Sequence, residues 1–203
     1  WIENKANVMP FNWGRFGGTG GATQETDEIE LTQTACIEIP FNTYLLARQW
    51  ELEYTFNVDT FSGKEYTTLW EMSPVGSGGC PASISYRSST DRLYYAIGQS
   101  GQAITPTPIS ADVVASDVAN CLEDNGFKSA QIVGHDITLK LVKDATYMTV
   151  YVNDSARIKV LSSVVEWYGS NGYPICNCFR FGAAGIDSYY EGFNGSVKQI
   201  KMK

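Results

Sequence analysis

Carboxylates spaced two apart, a lone histidine and tyrosines where polar residues are expected are the side chains of this chain best suited to chemistry. Glu28 and Glu30, and again Glu51 and Glu53, alternate so that each pair shares one strand face. Two carboxylates about 5 Å apart are what retaining glycoside hydrolysis requires, one as acid and base, the other as nucleophile. His135, the only histidine, opens a strand after Gly134 in "IVGHD", and imidazole is the side chain tuned for proton transfer near neutral pH. Asp59 in "NVDTFSG" and Asp187, Glu191 and Asn194 in "GIDSYYEGFNG" place oxygens in loops, the donors that calcium takes. The same residues also solvate strands, end them and cap turns, and that plainer reading is preferred for each group. No cofactor is implied, and calcium is the one metal for which donors stand out.

The tyrosines carry more weight. "ATYMTVYVND", residues 145–154, presents Met148, Val150 and Val152 on one face and Tyr147, Thr149 and Tyr151 on the other. The first face is a core face. Alternation elsewhere sends Leu93, Tyr95 and Ile97 inward and Tyr94 out, and buries Phe179 and Phe181 while leaving Arg180 outside. Flat amphipathic rings beside polar groups suit sugars, whose C–H faces stack on the ring while their hydroxyls find hydrogen bonds. Tyr94, Tyr147, Tyr151 and Arg180 are therefore expected together on a concave sheet face. Residues four apart on a strand lie roughly 13 Å apart, the span of two or three sugar rings. The alternative is a second small core covered by residues 99–128. A further recognition set lies in loops: Trp167, Tyr168 and Tyr173 in "EWYGSNGYP", with Tyr189 and Tyr190 in "DSYYEG".

These residues need strands to hold them. The chain has 203 residues, 13% aromatic and 43% hydrophobic, with 19 glycines and 12 tyrosines but only 18% charged residues, a composition of turns and strands around a sizeable core. Residues 1–26 read as irregular. From residue 27 a single domain is expected, with strands at "EIELTQ", "ACIEIP", "QWELEYTFNV", "YTTLWEMS", "ASISYRS", "RLYYAIG", "HDITLKLVK", "YMTVYVND", "ARIKVLSS", "ICNCFRFGA" and "GFNGSVKQIKMK". In the third of these Trp50, Leu52, Tyr54 and Phe56 point inward and Glu51, Glu53 and Thr55 outward. The long insertion at 99–128 contains "SADVVASDVANCLED", whose serine start and spacing of Val113, Val114, Val118 and Leu122 predict one short helix. The fold class that results is all-β, a two-sheet antiparallel jelly-roll sandwich.

A net charge of −7 argues against nucleic acid, whose phosphates need Lys and Arg, and no apolar run is long enough to insert in a membrane. Five cysteines, Cys36, Cys80, Cys121, Cys176 and Cys178, form an odd set that matches no metal-ligand spacing, and mostly free thiols are expected. No leader segment is visible before Trp1, and with the thiols this fits a protein assembled in a reducing cytoplasm.

Three passages carry a resemblance. "WELEYTFNVDTFSGKEYTTLWEM", "HDITLKLVKDATYMTVYVND" and "FNGSVKQIKM" resemble the opening strands, the "vyvng" strand pair and the closing strand of laminin G-like domains, within the concanavalin A-like lectin/glucanase superfamily. The resemblance spans residues 28–203 and implies the jelly-roll fold more strongly than any activity. The glucanases of this superfamily carry E-x-D-x-x-E on one strand, which neither glutamate pair here completes. Its alginate lyases carry Q-x-H, which is not matched because Gln131 stands four residues before His135. The function expected is a non-catalytic, lectin-like module binding a cell-surface glycan or polysaccharide, in an extracellular, cell-surface or virion setting such as a phage tail. The alternatives are a structural or assembly domain with protein neighbours, and a polysaccharide lyase or glucanase.

Overall fold

The computed structural model describes residues 15–17, 22–25, 28–40, 49–74, 82–97, 105–164, 176–182 and 190–203. Its first strands are short: β1 (Arg15–Gly17), β2 (Ala22–Glu25), β3 (Glu28–Leu31) and β4 (Cys36–Pro40). Two of them fall inside the stretch expected to be irregular, because pairing with later strands supplies the order that local sequence does not. β5 (Trp50–Phe61) keeps its alternation for nine residues, so that Trp50, Leu52, Tyr54, Phe56 and Val58 are all buried. β6 (Tyr66–Pro74), β7 (Ala82–Arg87) and β8 (Arg92–Ile97) form a meander, with the turn at Ser88–Asp91 joining the last two.

The expected helix in "SADVVASDVANCLED" is not formed. β9 (Thr107–Pro108) is followed there by β10 (Val113–Ala115) and β11 (Leu122–Asp124), an antiparallel pair joined through Asn120 at φ 64°. Three-residue strands are too short to show alternation, and β-branched valines at helical spacing prefer the extended form once a neighbouring strand offers hydrogen bonds. Among the described residues the one α-helix is α1 (Ser129–Ile132), a single turn that buries Ile132.

The remaining strands are β12 (Asp136–Lys143), β13 (Tyr147–Val152), β14 (Ser155–Leu161), β15 (Cys176–Gly182), β16 (Tyr190–Glu191) and β17 (Phe193–Met202). β13 and β14 meet at a two-residue turn, Asn153 and Asp154, both with positive φ (47° and 63°), the geometry that matches strand twist in tight hairpins.

The strands form two sheets. The first runs β1-β4-β15-β6-β7-β8-β11-β10, with β16 added in parallel to β6, and the second runs β2-β3-β17-β5-β12-β13-β14-β9. Between them lies one apolar core in which Tyr54 packs against Phe56 and Phe181 at ring-centroid distances of 4.6 Å, and Trp50 against Phe179 at 5.3 Å. Burying a large apolar side chain such as Phe181 is worth roughly 2–3 kcal/mol. The architecture is thus the all-β two-sheet sandwich read from the sequence.

Candidate functional site

Arg180 points out of the first sheet, as alternation on β15 requires, but it is buried rather than solvated. Its strand lies between β4 and β6, so Glu38 and Glu71 stand directly beside it in register. Arg180 Nη1 donates to Glu71 at 2.7 Å and Nη2 to Glu38 at 2.7 Å. Burial works against its charge, yet the hydrogen bonds it donates to Glu38 and the fields of Glu71, Cys36 and Glu38 outweigh it and hold the guanidinium pKa above its ordinary value. One cation therefore ties three strands across the outer face.

Further along the same face, Tyr66, Thr68, Ser85, Arg87 and Tyr94 follow from the register of β6, β7 and β8, and Glu123 of β11 stands beside Tyr94. Arg87 is the hub. It donates to Glu65 and Glu123 at 2.8 Å each and pairs with Asp117. Chiefly the Asp117 hydrogen bond, against the cost of burial and with Glu65 and Glu123 adding to it, raises the Arg87 pKa further. Its guanidinium carbon lies 5.7 Å from the Tyr66 ring centre and 6.0 Å from that of Tyr94, within cation–π range, and the two rings are 5.1 Å apart. Arg92 donates to the second oxygen of Glu123 at 3.0 Å. Tyr94 is only 4% exposed, whereas Tyr66 is half-buried and offers the reachable ring.

The expected grouping of Tyr94, Tyr147, Tyr151 and Arg180 on one face is corrected here. β13 belongs to the second sheet, so Tyr147 and Tyr151 point away from the molecule on the opposite side to Tyr94 and Arg180. In its described part the 99–128 segment closes over Tyr94, where Ser116 and Asp117 pair with Arg87 and Cys121 bonds the Tyr94 side chain, and it does not reach Tyr147 or Tyr151. Residues 107–124 extend the edges of both sheets, β9 on β14 and β10–β11 on β8. The outer face of the second sheet is a solvated surface of ion pairs: Lys140 with Glu51 at 3.1 Å, Lys201 with Glu53 at 2.9 Å, Lys198 with Asp136 at 2.8 Å. Glu51 and Glu53 are thus engaged as surface partners, and Glu28 accepts from Ser196. Tyr147 lies under Lys159, 4.8 Å from ring centre to Nζ, and opposite Leu161.

His135 stands exposed at the start of β12, in the second sheet, away from the outer face of the first. Asn194 spends its amide on local structure, accepting from Gln33 N at 3.1 Å and donating to Thr60 at 3.0 Å. Among the described residues no three His, Cys, Asp or Glu side chains gather as a metal ion's ligands would. Trp167, Tyr168, Tyr173, Asp187 and Tyr189 lie outside the described residues, and for Tyr190 and Glu191 only the backbone is described. The sequence reading missed Tyr66 and Arg87. Arg87 was legible from the alternation of Ile84 and Tyr86, but the irregularity between Thr68 and Trp70 shifts the phase of β6 and hides Tyr66.

No protein-family model matches the chain, and no curated protein matches it in sequence. Solved structures do match in fold. A sialidase from Trypanosoma rangeli superposes with TM-score 0.60 at 13% identity, over 89% of this chain and 26% of that one. The chain thus spans about a quarter of the sialidases it resembles. An alginate lyase from Pseudomonas aeruginosa superposes with TM-score 0.59 at 10% identity, over 96% of this chain and 99% of that one. A structure of HCR/D-Sa-GBL1/C superposes with TM-score 0.57 at 11% identity, over 93% of this chain and 43% of that one. At such identities the likeness is one of fold. The chain has the all-β, two-sheet antiparallel sandwich fold of these concanavalin A-like structures.

Proposed function

We propose that the chain is a non-catalytic, lectin-like carbohydrate-binding module whose sugar-contact face is the outer face of the first sheet. The observation that carries this is the Tyr66 ring, half-buried and fixed beside Arg87 and Tyr94, with Glu38, Arg180 and Glu71 on the same face. A ring whose position is set by its neighbours stacks on a sugar with little loss of side-chain freedom. The partner is a glycan or polysaccharide on a cell surface, and the setting an extracellular, surface or virion protein such as a phage tail. Residues 27–203 are read as one domain. Its laminin G-like character rests on the three sequence passages alone, and Trp167, Tyr168 and Tyr173 remain candidates for extending the contact.

Tyr147 and Leu161, opposite each other on the second sheet and 36% and 50% exposed, favour a second reading, an assembly domain that docks a protein neighbour there. Glycan-array binding with sedimentation of the same sample separates the two. Tyr66→Ala is expected to weaken glycan binding by roughly 1–3 kcal/mol, while Tyr147→Ala and Tyr151→Ala leave it unchanged. Loss of binding in Tyr151→Ala, with Tyr66→Ala unaffected, would move the site to the other sheet. A concentration-dependent oligomer broken by Leu161→Lys, with no glycan bound, would favour assembly.

A further inference from the structure

We infer that the glycan taken by the outer face of the first sheet is electrically neutral, not a uronate or a sialylated sugar; this rests on the lectin reading above. The side chain best shaped to grip an acidic sugar's carboxylate is a guanidinium with a free pair of donors. Each arginine of this face whose side chain is described already faces carboxylates. Arg180 lies between Glu38 and Glu71, Arg87 among Glu65, Asp117 and Glu123, and Arg92 against Glu123. Three guanidiniums thus meet five carboxylates, and the described part of the face carries two negative charges in excess. In a partly desolvated site that excess repels an added carboxylate and strengthens no contact to it.

A second observation points to the uncharged hydroxyl. Ser85 sits on this face between Thr68 and Tyr94, is 0% exposed, and its Oγ has no hydrogen-bond partner. A hydroxyl that is buried and unpartnered is a donor and acceptor awaiting a group of the same kind. A sugar hydroxyl fits it in either sense. Arg92 keeps one buried N–H, Nε, without a partner. A single buried N–H can bond a hydroxyl oxygen, while Nη1 of the same group is held by Glu123.

Titration calorimetry of the full chain against neutral hexose and N-acetylhexosamine oligomers, and against uronate and sialylated oligomers of equal length, tests the inference. Neutral oligomers are expected to bind at least about ten-fold tighter, with an affinity that changes little from low to high ionic strength. Ser85→Ala should lower that affinity several-fold while leaving the melting temperature in place. Tighter binding of the acidic oligomers, falling as salt rises, would overturn the inference and leave the lectin reading intact. Full affinity in Ser85→Ala would remove the hydroxyl contact on which the inference leans. Binding of neither class would overturn the lectin reading itself.

Discussion

Arg157, on β14 of the second sheet, closes a two-pronged ion pair with Asp124, on β11 of the first: Nε to Oδ2 at 2.6 Å and Nη2 to Oδ1 at 2.5 Å. Asp124 is wholly buried and also accepts from the Tyr95 hydroxyl at 2.9 Å and from Gly126 N at 2.9 Å. The guanidinium rests over the Phe127 ring at 5.1 Å. A side chain at residue 126 would obstruct it, since a Cβ there would lie 2.7 Å from Nη2. The pair bolts the two sheets together at the edge where β9, β10 and β11 cross between them.

Removing Asp124 leaves the buried Arg157 with only the exposed Asp112 and Ser155, each at 3.3 Å. Asp124→Ala is expected to lower stability by about 3–5 kcal/mol, read as the shift of the urea midpoint. The double change Asp124→Leu with Arg157→Met should recover much of that loss. Additive losses would show that the pair is not what the single change disturbs.

Tyr54 makes the opposite case. Its ring is central to the core, but its hydroxyl is buried with no partner, and burial pushes its pKa well above the ordinary value. Tyr54→Phe keeps the ring and removes the unpaired group, so stability should hold or rise by about 1 kcal/mol in a denaturant titration. A clear loss would mean that the hydroxyl has a partner, such as a buried water.

Gly195 is fixed by backbone geometry. It lies at φ 155° beside a register shift in β17, and a Cβ there would sit 2.1 Å from the Asn57 carbonyl oxygen. Gly195→Ala is expected to cost more than about 1 kcal/mol, with the melting temperature as the readout. An unchanged melting temperature would mean that β17 can slide on β5.

Asp144 offers a test by pH. Its carboxylate accepts the backbone N–H groups of Tyr147 and Thr146 at 2.7 Å each, and these two bonds, Tyr147 first, lower its pKa below the ordinary carboxylate value. A depressed carboxylate contributes stability above its unfolded pKa, near about 3.9, and loses it as pH falls through the lower folded value. Asp144→Ala should therefore melt below the parent at neutral pH, with the gap closing as the solution is acidified below about pH 4. A gap that persists undiminished in acid would assign the loss to the turn backbone.

Cys36, Cys121 and Cys178 are thiols rather than halves of disulfides. Titration of the denatured, unreduced chain should find at least three thiols. Only one would mean two disulfides and a rearranged β4–β15 region.

Facing was legible in the sequence, and neighbourhood was not. Period-two alternation placed Leu52, Tyr54 and Phe56 inside, Arg180 outside Phe179 and Phe181, and Tyr94 outside Leu93 and Tyr95. It says nothing of which sheet a strand joins, because that is decided by partners far along the chain: β15 lies beside β4, more than a hundred residues earlier. Tyr94 and Tyr151 both face outward, yet on opposite sides of the sandwich. The Glu38–Arg180–Glu71 bridge was hidden for the same reason, its three residues belonging to strands that only the folded topology makes adjacent. The strand pair β10–β11 was misread as helix because Val113, Val114, Val118 and Leu122 recur at helical spacing, while two three-residue strands are too short to show alternation.

The last strand of the second sheet also sets how the protein meets other copies of itself. β9 consists of Thr107 and Pro108, flanked by Pro106, and Pro108 stands opposite Ile158. Proline has no N–H to give, and a strand only two residues long offers almost no ladder for an incoming strand to copy. A sheet rich in valine, isoleucine and tyrosine thus ends in a segment that halts its own growth, and the long β13–β14 hairpin behind it is kept from templating fibrils along that edge.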